Sequence, residues 1–198
     1  MIYGDLLLKK SNSNSDQPFL FDNLSRKETK LKMKVNFKHQ GIFTSAILKE
    51  TVNLLPQFPD SDSLDEIKEF LRKNLHFSAE NTRQRYSNYI LKRTFPYGYV
   101  DHAILKIAKS YPNGQALKDI CFYRFLKAEE LQFEFMLDLV IPQIGNGFLK
   151  REAIRNYLSQ KYPASRSVKK GAQAIVDALG ACDIVKVETD RVTYSYRD

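Results

Sequence analysis

Arg166, Ser167, Val168, Lys169 and Lys170 open an amphipathic stretch at 166–179, in which Val168, Ala172, Ile175, Val176 and Leu179 form one apolar stripe. Outward lie Arg166, Lys170 and Gln173, with Lys169 on the flank and Asp177 further along. Cations crowded into the first turns of a helix repel its positive dipole end. A phosphate or a base acceptor offsets that repulsion, because helix N-termini already attract anions. Lysine and arginine pair with guanine O6 and N7, and glutamine pairs with adenine N6 and N7. The chemistry that suits these residues is non-covalent: nucleic acid held by charge and hydrogen bonds.

Neighbouring elements are placed to present that stretch. A helix at 150–161 precedes it across the turn Tyr162-Pro163-Ala164-Ser165, and two short strands follow at 184–188 and 192–196. Thr189-Asp190 makes the hairpin turn, with Arg191 at its exit in reach of a phosphate and Lys186 as a weaker contact. This order reads as a winged helix-turn-helix, whose second helix enters the major groove of DNA while the hairpin touches the backbone.

A second polar face lies on a helix expected at 79–94, with Ser78 as its N-cap. Ala79, Thr82, Tyr86, Tyr89 and Ile90 point inward; Asn81, Gln84, Arg85, Asn88 and Lys92 fill the opposite face without a carboxylate. Such a face suits base edges and phosphates, and a plain solvated helix is the alternative reading. Two helices lead up to it. One starts at Ile42, carries Phe43, Ala46, Ile47, Thr51, Leu54 and Leu55 on one side, and is ended by Pro56. The other spans 64–75 with Leu64, Ile67, Phe70, Leu71 and Leu75 inward. A short turn before the third helix makes the set helix-turn-helix-like.

The centre is helical at 100–110, 116–127 and 129–141, with Phe122, Phe125, Leu126, Phe133, Met136, Leu137 and Val140 as core. The predicted fold class is mainly α. An extended or flexible arm spans 1–40, a helical domain with a helix-turn-helix-like unit spans 41–127, and a winged helix domain with a short β-hairpin spans 128–198. Within the arm, Ser11-Asn12-Ser13-Asn14-Ser15 is a polar tract. Lys30-Leu31-Lys32-Met33-Lys34-Val35 alternates as an edge strand does, or as an arm lying on phosphates does.

The formal net charge of +8 is unevenly spread. Residues 65–109 carry nine basic and five acidic side chains and residues 142–198 carry ten and six, whereas residues 110–141 carry three and five. Two basic stretches flank an acidic helical centre, which suggests two contact surfaces on one scaffold. Cys121 and Cys182 lack near cysteine partners, so neither a disulfide framework nor a zinc site is expected, and a reducing cytoplasm is the natural setting. No apolar run approaches the roughly 20 residues that span a bilayer.

Patterns for catalysis fail on spacing. Pro59-Asp60 and Glu66-Ile67-Lys68 mimic a nuclease trio but lie too close together, with Glu66 at a helix start. His39, His76 and His102 are too scattered for a metal site. Glu129-Glu130 reads as a helix-start charge pair. Gly145-Asn146-Gly147-Phe148 lacks the lysine and hydroxyl of a phosphate loop. No enzyme, cofactor or metal is expected.

Several short motifs carry a family resemblance. A Gly41-containing helix with Glu50 leads to Asn74-Leu75; Ser78-x-x-x-Thr82-Arg83 follows, and Ile90-x-x-Arg93 closes that helix; a helical middle at 122–141 and a small winged unit complete the order. Over residues 41–196 the chain is similar to the A component of bacteriophage-exclusion (BREX) defence systems. The resemblance implies a mostly helical DNA-binding protein with two helix-turn-helix-like parts and no catalytic residues, acting beside other phage-defence proteins. Double-stranded DNA is the expected partner, and no membrane is. The alternative is a protein-interaction subunit whose winged helix docks a larger complex. RNA is disfavoured for want of an aromatic sheet platform, of which Tyr194 and Tyr196 are only a hint.

Overall fold

The computed structural model describes residues 41–195. The expected arm at 1–40, His39 and Tyr196 lie outside the described residues. The amide and the hydroxyl of Thr51 both donate to the Ile47 carbonyl, at 3.0 and 2.7 Å. Ile47 itself lies in the left-handed region at φ 55°, which a β-branched residue rarely adopts. Helix α1 therefore spans only Leu48–Leu54. The expected helical start at Ile42 is corrected: residues 41–47 form no helix, although Ala46 and Ile47 are buried. An irregular segment laid into a core is as apolar as a helix face, and a short apolar pattern cannot separate them. The α-helix does end just before Pro56, with Leu54 its last residue and Leu55 its C-cap. Pro56 occupies the first turn of a 3-10 turn, Leu55–Gln57, where its missing N–H costs nothing.

Helix α2 (Leu64–Asn74) is capped by Ser63, whose hydroxyl accepts from the Glu66 amide at 3.4 Å. Acidic Asp65 and Glu66 start it and basic Arg72 and Lys73 end it, as the dipole favours. Helix α3 (Glu80–Thr94) packs against α2. Ala79, not Ser78, holds its N-cap position, and no side chain caps it. Arg83 organises the turn instead, donating to the carbonyls of Phe77 and Ser78 at 2.6 and 2.9 Å and pairing with Glu80 at 2.5 Å. Ser87, Ile90, Arg93 and Thr94 face inward. Ala79 and Tyr89, expected inward, are exposed, because Ser87 and Arg93 occupy the buried side.

Helix α4 (His102–Ser110) starts at Asp101, which accepts from the amides of Ala103 and Ile104 at 3.1 and 3.4 Å. Helix α5 (Gln115–Ala128) supplies buried Leu117, Phe122 and Phe125. Helix α6 (Glu130–Phe135) continues through a π turn, Met136–Val140, into a helical turn at Ile141–Gln143. Val140 is buried, but Phe133 and Leu137, expected in the core, are 45 and 49% exposed. No element among the described residues covers that side of the helix.

Strand β1 (Phe148–Lys150), helix α7 (Arg151–Lys161), helix α8 (Val168–Ala181) and strands β2 (Val185–Val187) and β3 (Arg191–Tyr194) complete the described chain. The sheet is antiparallel in the order β1-β3-β2, with Leu149 opposite Val192 and Val185 opposite Tyr194. The hairpin was expected; β1, which gives β3 its second partner, was not. Leu149, Ile154, Leu158, Ile175, Leu179 and Val192 form its fully buried side. Gly171 lets α8 approach the leading segment, since a Cβ there would lie 2.2 Å from Ile42 Cγ2.

Candidate nucleic-acid interface

The buried stripe of α8 is Ala172, Ile175, Val176 and Leu179, so burial fixes its rotation and turns Lys169, Lys170, Gln173 and Asp177 to solvent. The helix starts at Val168, two residues later than expected, so Arg166 stands exposed in the preceding turn rather than on the helix. Ser167 is the N-cap residue but its side chain caps nothing, and the first turn holds no acidic residue. The first amides of α8 thus have no side-chain acceptor at the cap, beside two lysines.

Helix α7 adds what the sequence reading missed. Arg151 and Arg155, four residues apart, face Lys169 and Lys170 across a groove of about 440 Å³ lined also by Ala172, Gln173 and Val176. Four cations from two helices line this groove, and no carboxylate does. The signal for it was the i,i+4 spacing of the two arginines on the first helix.

Arg151 also braces the groove. Its guanidinium bonds the Gln173 side-chain carbonyl and reaches the backbone carbonyls of Glu188 and Thr189, both at 3.4 Å. Gln173 in turn donates to Asp177 at 2.7 Å. Each end of the Gln173 amide thus makes one bond within the protein and keeps one further donor or acceptor site for a base.

In the hairpin, Arg191 donates to Glu188 at 2.8 Å and lies 5.5 Å from the centre of the Phe148 ring. Glu188 also accepts from Thr193 at 2.8 Å. The Arg191 bond, then the Thr193 bond, hold its carboxyl below the ordinary carboxylate value. The charge of Arg191 is thereby partly offset within the hairpin, whereas Lys186 is exposed on β2.

On α3, Asn81, Gln84, Arg85, Asn88 and Lys92 are all exposed, and they share one face. Arg85 leans over the Tyr86 ring at 5.0 Å. At the base of this face Glu80 sits between two guanidiniums, Arg72 at 2.5 Å and Arg83 at 2.5 Å. Hydrogen bonds from Arg72 and then Arg83 hold its carboxyl low.

The sequence model of one family, BrxA, matches residues 37–179. The chain belongs to the BrxA family. Membership is consistent with a component of a BREX phage-defence system, as the motif order implied. The match takes in α1 to α7 and α8 as far as Leu179, and so includes both the α3 face and the α7–α8 groove, while the hairpin lies beyond it. No curated protein and no solved structure matches the chain. Among the described residues, no helix is long and apolar enough to cross a membrane.

Proposed function

We propose that this BrxA-family chain is a non-enzymatic double-stranded DNA-binding component of phage defence, in which β1, α7, α8, β2 and β3 act as a winged helix-turn-helix. The observation that carries this reading is the α7–α8 groove, where Arg151, Arg155, Lys169 and Lys170 converge without a carboxylate. Like charges held this close repel one another, and a phosphate backbone in the groove relieves that repulsion while the N-terminal amides of α8 donate to it. The exposed face of α3 supplies a second contact, with Asn81, Gln84, Arg85, Asn88 and Lys92 available for phosphates and groove edges. Arg166 and Arg191 flank the main groove.

Counter-ion release gives the test. Four phosphates neutralised by the groove correspond to a slope of about −3.6 in log affinity against log salt, or a loss of about two orders of magnitude between 50 and 200 mM. Gel-shift titrations across that range are expected to show it. Lys169→Glu/Lys170→Glu should weaken binding at every salt concentration and flatten the slope by about 1.8. Salt-independent binding, or an unchanged slope in the variant, would remove the groove from the mechanism.

A further inference from the structure

Residues 128–149 hold four carboxylates and no lysine or arginine, in a chain with 31 basic side chains. Along this segment Phe133, Leu137 and Ile141 recur every four residues and are 45, 49 and 52% exposed. In an α-helix each such step drifts by about 40°. The π turn at Met136–Val140, closed by the Ile141 amide on the Met136 carbonyl, fits more residues into a turn and reverses part of that drift. The three side chains therefore share one face, while Leu131, Phe135 and Val140 are buried on the other.

The carboxylates around this ridge differ in what they meet. Glu129 is committed to Arg93 and Glu134 pairs with Lys161. Asp138 accepts from the neutral Tyr157 hydroxyl at 2.9 Å, and among the described residues no cation pairs with Asp138 or Glu130. The result is an apolar ridge with uncompensated negative charge beside it, on a protein that is otherwise basic.

We infer that this face docks a partner's amphipathic helix whose apolar ridge is flanked by lysines or arginines. Knobs spaced every three or four residues fit beside Phe133, Leu137 and Ile141, and flanking cations meet Asp138 and Glu130. A second copy of the chain fits poorly. The three side chains expose on the order of 250 Å², against roughly 600 Å² per subunit in a small stable interface. Two copies joined through this face would also gather their Glu130 and Asp138 carboxylates into one interface without bringing a cation to them. None of the groove residues lies on this face.

The test uses the full chain and two fluorescein-labelled synthetic helices with the same leucine ridge, one flanked by lysines and one by glutamates. Fluorescence anisotropy is expected to show at least tenfold tighter binding of the lysine-flanked helix. Asp138→Lys, an exposed change, should abolish or reverse that preference. Leu137→Ser/Ile141→Ser should remove binding, with the far-UV circular dichroism unchanged; if that variant fails to fold, Asp138→Lys decides alone. Equal affinity for the two helices, binding of neither, or a preference untouched by Asp138→Lys overturns the inference. Sedimentation showing a dimer that Leu137→Ser/Ile141→Ser dissolves also overturns it, by assigning the face to a second copy.

Discussion

Arg93 on α3 and Glu129 at the start of α6 form a buried ion pair, Nε to Oε1 at 2.7 Å, across 36 positions of sequence. The same guanidinium donates to the carbonyls of Ser45 and Ala46 at 2.9 and 2.6 Å and lies 4.9 Å from the centre of the Phe125 ring. One side chain thus joins the leading segment, α5 and α6 to the helix that carries the second polar face. Removing either partner strands the other in the core.

Arg93→Met is therefore expected to cost about 3–5 kcal/mol, the usual penalty for leaving one buried charge unpaired. Arg93→Met/Glu129→Leu should recover a large part of that loss, since no uncompensated charge remains. Urea unfolding of the three proteins measures it, and a double variant no better than the single one would mean that the carbonyl bonds to residues 45 and 46 dominate.

The Gly171–Ile42 approach makes a second prediction. Gly171→Ala gains about 1 kcal/mol of helix propensity. Its Cβ, however, meets a methyl carbon on the stiff Cβ of Ile42 at 2.2 Å, and such overpacking costs about 1–3 kcal/mol. A net loss is expected. In a double-mutant cycle with Ile42→Ala the two changes should be less harmful together than their sum by about 1 kcal/mol; strict additivity would mean that the two sites do not touch.

Hydrophobic periodicity made most of the helices legible, because Ile67 and Leu71, or Ile175 and Leu179, recur at the helical period. It does not report what covers a face. Phe133 and Leu137 carry a core pattern yet stand exposed, and the apolar residues at 41–47 pack without being a helix. β1 was hidden because three residues have no pattern of their own and exist as a strand only through pairing with β3. In the groove, Lys169 and Lys170 were legible from their place at a helix start. Arg151 and Arg155 were not, since their role depends on the helix beside them, and the bonds that occupy Gln173 and Arg191 arise only in three dimensions.

Glu80 yields a pH prediction. Hydrogen bonds from Arg72 and Arg83 hold its carboxyl below its ordinary value of 4.5. A depressed carboxyl adds stability that is present above its unfolded value and is lost as pH falls through its folded value. Glu80→Gln should then melt below the wild type at pH 6, with the gap closing as the pH drops below about 4. A gap that persists at pH 2.5 would trace the loss to packing rather than charge.

Gln173 and Arg155 separate reading from holding in the groove. If cations alone grip the backbone, Gln173→Ala frees Arg151 from one bond and leaves DNA affinity within about threefold. Arg155→Glu replaces an attractive contact with a repulsive one and should cost well over tenfold at low salt. The two variants are compared on one duplex and on a scrambled duplex of the same length. Should Gln173→Ala weaken only the first, the amide reads a base through the donor and acceptor sites that Asp177 and Arg151 leave open. Arg151 and Asp177 would then orient the amide for a specificity contact.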